Sequence, residues 1–180
     1  METIKANMYE MEYRGGAVKS DLSLVPFDEK YYKQYKNVIN DCFYEMRKAL
    51  NIKPYDKHSN SLVELAMLKE STFLLLDGDV IICAVSFFGN ELGNVVVNPQ
   101  YQRQGYGRKL MEFALQHMQK RGDSPIKLMV NTSNRSAIAL YSLLGFEVMK
   151  EIAIEGANMK DADGNWKFEV ISIGDVVLCE

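Results

Sequence analysis

The 180-residue chain is sparing with the residue types that most often mark special chemistry. Its 3 cysteines, Cys42, Cys83 and Cys179, lie far apart and form no Cys-x-x-Cys pair. Neither a disulfide framework nor a zinc site is implied, and they read as reduced thiols of a cytosolic protein. Of its 2 histidines, His58 and His117 match no ligand spacing, so no metal is expected, and His117 is expected on the exposed face of its helix. The longest unbroken apolar run, residues 80–85, falls far short of the ~20 needed to cross a bilayer, so no membrane partner is expected. The first residues lack an apolar core followed by a small-residue cleavage site, so no secretory signal is expected and a cytoplasmic location is. Positive charge is not in excess: 21 Lys and Arg against 24 Asp and Glu leave a net charge of −3. A phosphate-tracking surface normally leaves a basic excess, so nucleic acid is not an expected partner.

What is present is an ordinary globular composition, 47% hydrophobic and 25% charged, without repeats or low-complexity stretches. Roughly 100 to 200 residues make a domain, so one domain is expected over 21–180. Residues 1–20, rich in Met and Tyr, form an N-terminal arm in which strand and helix stay open. Residues 21–25 alternate like a short strand that Pro26 ends. From Asp28, Tyr31, Tyr35, Val38, Cys42, Met46 and Leu50 recur at helical spacing, and Ser61-Leu62-Val63-Glu64 has the form of a capping box. Residues 71–76 and 80–88 are apolar strands around Asp77-Gly78-Asp79, a hairpin turn. Strands near 92–97 and 126–131, helices near 104–121 and 134–144, and strands at 146–154 and 166–178 complete the pattern. An antiparallel first half and a β-α-β second half predict a three-layer α/β/α sandwich.

The most informative stretch is Val97-Asn98-Pro99-Gln100-Tyr101-Gln102-Arg103-Gln104-Gly105-Tyr106-Gly107-Arg108. A strand ends, a proline prevents its continuation, and two glycines sit where a helix begins. Without Cβ atoms there, a polyphosphate can approach the backbone, and the free N–H groups of the first helical turn point at the anion. Leu110, Met111, Ala114, Leu115 and Met118 then form a core-facing stripe. The pattern is neither a dinucleotide fingerprint nor a P-loop. Alone, it is equally a tight turn that helps the helix pack.

This segment resembles the GCN5-related N-acetyltransferase (GNAT) family, whose signature of Gln or Arg, two residues, Gly, one residue, then Gly or Ala is met by Gln102, Gly105 and Gly107. Val97-Asn98-Pro99 before it fits, as does the downstream run from Asn134 through Tyr141 to Gly145-Phe146. The resemblance covers roughly residues 21–154. It implies a central, mostly antiparallel, splayed sheet and an acetyl-CoA-dependent transfer of an acetyl group to a primary amine. By the same resemblance, the backbone of Gln102, Arg103, Gln104, Gly105, Tyr106, Gly107 and Arg108 holds the pyrophosphate. The strand edge at Val95, Val96 and Val97 pairs with the pantetheine arm, and Asn134 faces the cofactor.

Two groups carry the implied chemistry. An alkylammonium of pKa near ~10.4 must lose a proton before it can attack, and Glu91, eleven residues before Gln102, stands at the family's base spacing. The departing thiolate needs a proton or a hydrogen bond, and Tyr141, two helical turns beyond Asn134, is placed to give it; its bland alternative is an aromatic core residue. No histidine neighbours Cys83, so direct attack in a ternary complex is expected rather than a cysteine intermediate. The acceptor groove is implied at 51–60 and 155–165, where Asp56, Glu155, Asp161 and Asp163 would suit a cationic small-molecule or peptide amine. A CoA-binding sensor or scaffold without turnover is the alternative, a purely structural glycine turn in an interaction domain the third reading, and a homodimer stays open.

Overall fold

The computed structural model describes residues 3–56 and 61–176. His58, Cys179, the end of the 51–60 loop and residues 177–178 of the last expected strand lie outside them. Among the described residues are eight strands and four α-helices, the mixed α/β class that the pattern predicts. No helix there is long and apolar enough to cross a membrane. The chain divides into two compact units, residues 16–42 with 58–127, and residues 1–15, 43–57 and 128–180.

The first unit carries strands β2 (Val25–Pro26), β3 (Thr72–Asp77), β4 (Val80–Phe88) and β5 (Glu91–Val97), paired in that order and antiparallel throughout. The β3–β4 hairpin turns where predicted, with Gly78 at φ 58°. The expected strand at 21–25 shrinks to a two-residue edge. Pro26 takes part in it opposite Phe73, because an edge strand needs no N–H from its outer side. β4 is buried from Ile81 through Phe87, as a strand covered on both faces must be. Helix α3 (Tyr106–Arg121) packs on β4 and β5 through Leu110, Met111, Ala114, Leu115 and Met118, the predicted stripe. Helix α2 (Leu62–Ser71) packs on β3 and β4 through Leu68 and starts at Ser61, whose hydroxyl accepts the Glu64 N–H at 3.2 Å. Helix α1 (Tyr32–Ala49) contributes buried Tyr35 and Val38. His117 departs from expectation. Its ring lies 5.1 Å from Phe73 and 4.8 Å from Phe87, and burial lowers its pKa. An imidazole among aromatic rings is better kept neutral.

The second unit carries β6 (Lys127–Asn131, from Leu128 onward), β1 (Ile4–Tyr13), β7 (Phe146–Lys160) and β8 (Trp166–Val176) in the order β6-β1-β7-β8, with helix α4 (Arg135–Leu144) against β7. The N-terminal arm is thus an interior strand, not an appendage. Ile4 and Ala6 are buried with Lys5 and Asn7 exposed, the alternation of a half-buried strand, but a register slip between Glu10 and Met11 reverses the parity and buries Met11 completely. That slip hides the strand from a period-2 reading. β7 also runs six residues beyond the expected end at Ile154, so Glu155 lies opposite Ser172 in a ladder rather than in a loop.

Met11→Ala empties a site with no solvent access, and a loss of about 2–5 kcal/mol is expected in urea unfolding. The exposed Lys5→Ala should leave the urea midpoint essentially unchanged.

Candidate active site

The site begins with a defect in strand pairing. Cys83 and Ala84 of β4 face Val97 and Val96 of β5, but Ser86 faces Gly93, so β5 spends three residues where β4 spends two. Asn94 takes up the extra residue at φ 47°, a left-handed conformation that Asn tolerates better than most residues. Asn94 and Val95 therefore have no partner residue on β4, and this bulge lies directly before the three valines singled out in the sequence. Val96 is buried and Val95 and Val97 are half-buried, so their side chains are core while their backbone supplies the polar groups.

Past Val97, one side chain missed by the sequence reading fixes the chain direction. Asn98 donates its side-chain amide to the Ile81 carbonyl at 2.9 Å, accepts the Gln100 N–H on its Oδ1 at 3.2 Å, and gives its own N–H to Ile82 at 2.9 Å. An Asn before Pro-x at a strand end is the signal that could have revealed it. Residues Pro99–Tyr101 then make one 3-10 turn, and the Gln102 side chain donates back to the Val97 carbonyl at 3.0 Å. Gln102 thus braces the turn. Arg103 and Gly105 both lie in the left-handed region, at φ 62° and 85°. A Cβ on Gly105 would meet nothing within 4 Å, so this glycine is needed for its backbone angle and not for packing.

The result is a row of open donors. Among the described residues, none of the backbone N–H groups from Arg103 to Arg108 has a hydrogen-bond acceptor, and α3 starts without a side-chain cap. A helix start with free, convergent amides and the positive end of its dipole suits an anion. The nearby cations are less free. Arg108 is held by Glu112 at 3.0 Å, Lys109 lies 5.7 Å from the Tyr106 ring, and Arg103 is exposed.

Glu91 opens β5 opposite Phe88, half-buried, with no ion pair or hydrogen bond among the described residues. Six residues of strand, roughly 20 Å, separate it from Val97. The glycine turn and Glu91 thus bracket β5 from opposite ends; this unit joins Val95–97 to 102–108 and leaves Glu91 at the far end of the strand. Asn134 and Tyr141 belong to the other unit. There Asn134 caps α4, accepting the Ala137 N–H at 3.2 Å. Tyr141 is buried beside Phe146, whose ring is 6.0 Å away, and Tyr13 of β1 packs on the far side of Phe146 at 5.3 Å. The Tyr141 hydroxyl has no hydrogen-bond partner among the described residues, and burial pushes its pKa up to about 12.

Two of the acidic residues expected on the acceptor rim have partners. Glu155 is bound to Lys5 at 2.7 Å, and Asp161 accepts the N–H groups of Asp163 and Asn165 within its own turn. Asp56 sits near the Arg47 guanidinium, whose charge it supports.

A family model described as the acetyltransferase (GNAT) family matches residues 32–146. The chain belongs to this acetyltransferase (GNAT) family. Among curated relatives, the [ribosomal protein bS18]-alanine N-acetyltransferase of Escherichia coli K12 is 51% identical over 55 residues, which is 31% of this chain and 37% of that protein. An uncharacterized N-acetyltransferase of Methanocaldococcus jannaschii is 35% identical over 57 residues, 32% of this chain and 25% of that one. The match thus spans 37% of the first of these relatives and 25% of the second. Among solved structures, a GNAT-family acetyltransferase from Novosphingobium aromaticivorans superposes with a TM-score of 0.59 at 19% identity, covering 83% of this chain and 62% of that one. The E. coli ribosomal-protein-S18-alanine N-acetyltransferase gives 0.52 at 22% identity, covering 88% and 96%. These two likenesses show a GNAT fold.

The two raised tyrosines have a measurable consequence. Burial carries Tyr35, like Tyr141, to about 12, while an unfolded tyrosine ionises near ~10. Below pH 10 both states are protonated and this contribution is intact. Between pH 10 and 12 the unfolded chain releases these protons first, so stability falls as pH rises. Chemical unfolding across pH 8 to 12 should show that fall, and Tyr141→Phe should remove roughly 2–3 kcal/mol of it; a fall of the same size in the variant would contradict the assignment.

Proposed function

We propose that the protein transfers the acetyl group of acetyl-CoA to a primary amine by direct attack in a ternary complex. The observation that carries this reading is the row of acceptor-free amides from Arg103 to Arg108, set directly after a bulged strand. In the reading, the backbone of 102–108 receives the pyrophosphate and the polar groups of Val95, Val96 and Val97 receive the pantetheine arm. Such an arm binds a strand as an added strand would. Net charge of −3 is no obstacle, because helix-terminal amides supply the local potential.

Acetyl-CoA supplies an activated thioester; the residues of the chain manage protons and position. The amine nitrogen forms the new N–C bond as the C–S bond breaks, and its second proton passes to solvent. Glu91, a carboxylate without a competing partner, takes the ammonium proton through intervening water. A backbone N–H of the 95–97 segment polarises the carbonyl. For Tyr141 and Asn134 the roles rest on the family motif. A hydroxyl of pKa about 12 facing a thiol of ordinary pKa ~8.5 keeps its proton, so Tyr141 acts by donating a hydrogen bond to the departing sulfur, which then takes its proton from solvent. The catalytic domain expected over 21–180 then gains β1, since Tyr13 packs on Phe146 beside Tyr141.

A peptide N-terminus is the acceptor class we favour, because the E. coli relative bears the name of an alanine N-acetyltransferase of a ribosomal protein. The test combines binding and turnover. Acetyl-CoA at 100 times its Kd should stabilise the fold by ~2.7 kcal/mol. With a peptide acceptor, thiol release should drop about 10–100-fold in Tyr141→Phe and about 100-fold or more in Glu91→Gln. The Glu91→Gln deficit should shrink as pH approaches 10 and the amine loses its proton unaided. Stabilisation without thiol release from any amine would instead support a CoA-binding sensor, and no stabilisation would leave the glycine turn structural.

A further inference from the structure

We infer that a cavity between α2 and the β4–β5 pair receives an uncharged, apolar side group carried next to the acceptor amine, so that this protein selects acceptors with an apolar residue at the reacting end. The inference rests on the acetyl-transfer reading and adds to it the chemistry of the acceptor.

The cavity holds about 270 Å3. Its apolar walls are Val63, Met67 and Leu68 of α2 and Phe88 of β4. Val63 and Met67 are 72% and 51% exposed, an orientation that leaves an apolar helix face uncovered by the protein's own core. Phe88 owes its position to a glycine: a Cβ on Gly93 would come within 2.6 Å of the Phe88 ring, so only a bare backbone lets the ring lie across β5.

The carboxylate and the two hydroxyls of the cavity are already committed. Glu64 is the one carboxylate in the lining, and both its oxygens accept from Lys36 at 3.0 and 2.9 Å, with the Tyr32 hydroxyl adding a third bond at 3.0 Å. Lys36 is itself only 7% exposed. The pair cancels its charge, so an acceptor ammonium side chain finds no free anion here, and an acidic side chain finds no free cation. Burying either uncompensated is costly. Ser71 gives its hydroxyl to the Met67 carbonyl at 2.7 Å. Apart from the Asn94 side-chain amide, what remains open to a ligand is hydrocarbon.

The place of the cavity matters as much as its lining. Asn94, the bulged residue of β5, belongs to the lining. Beneath it, the Tyr35 hydroxyl is buried near Ser86, Asn94 and Thr72, yet makes no hydrogen bond of good geometry. The cavity therefore opens against the bulge, where the reading puts the acyl carbonyl. An amine attacking there carries its nearest substituent into the cavity.

The experiment uses the full chain, acetyl-CoA and three peptides of the form X-Ala-Ala-amide with X as Leu, Asp or Lys, plus Gly-Ala-Ala-amide as a reference without a side group. Thiol release should give kcat/KM at least 10-fold higher for Leu than for Asp or Lys. Met67→Glu should erase that preference while leaving acetyl-CoA binding unchanged. Val63→Glu, a second exposed position, should act in the same direction. Preference for Asp or Lys, or an unaltered preference in both variants, would overturn the inference. If no peptide releases thiol although acetyl-CoA binds, the transfer reading fails separately, and the Met67 methyl resonance decides the cavity. A shift with the Leu peptide and not with the Asp peptide supports it; equal or absent shifts overturn it.

Discussion

One extra residue in β5, Asn94 opposite an unbroken β4, is the constraint on which the site depends. An ideal antiparallel ladder would consume the polar backbone of β5 against β4 and keep its side chains in strict alternation. The bulge breaks both regularities at one point. It withdraws Asn94 and Val95 from register with β4, and it turns Asn94 toward the cavity lined by α2 and Phe88. The cost is a left-handed non-glycine residue and a buried, poorly bonded Tyr35 hydroxyl beneath it. Strain of this kind persists only where the surrounding structure over-determines it. Here the continuously buried β4 and the stripe of α3 do so.

The second half of the site follows the same logic of withheld pairing. Between Val97 and α3 the chain makes its internal bonds through side chains, Asn98 and Gln102, and through one 3-10 turn. That leaves the N–H groups from Arg103 to Arg108 unspent. A site built from main-chain donors needs few cations, which reconciles anion binding with an acidic chain. In the proposed reading the specificity of the reaction then lies elsewhere, in side chains such as Met67 and Phe88 that the cofactor logic does not use.

Much of this was legible before the structure. Asp77-Gly78-Asp79 specifies its hairpin locally, the α3 stripe has a clear 3.6-residue period, and Gly105 and Asn134 carry their conformational roles in their own chemistry. What escaped depends on pairing between distant segments. The bulge at Asn94 exists only relative to β4, and β1 was hidden by a change of buried parity at Met11, where its partner β7 carries the extra residue Met149. The cavity was hidden because α2 presents Leu62, Val63 and Met67 to solvent, against the ordinary rule for an amphipathic helix. Composition could not show at 155–165 that Lys5, 150 residues away in sequence, pairs with Glu155.

The central claim is that main-chain donors flanking the bulge and opening α3 hold the cofactor. Backbone amide spectra of the labelled protein, recorded while CoA is added, test it most directly. The account predicts saturable shifts that are largest at Val95, Val96 and Val97 and from Arg103 to Arg108. Saturable shifts concentrated elsewhere, or none at millimolar CoA, would contradict it.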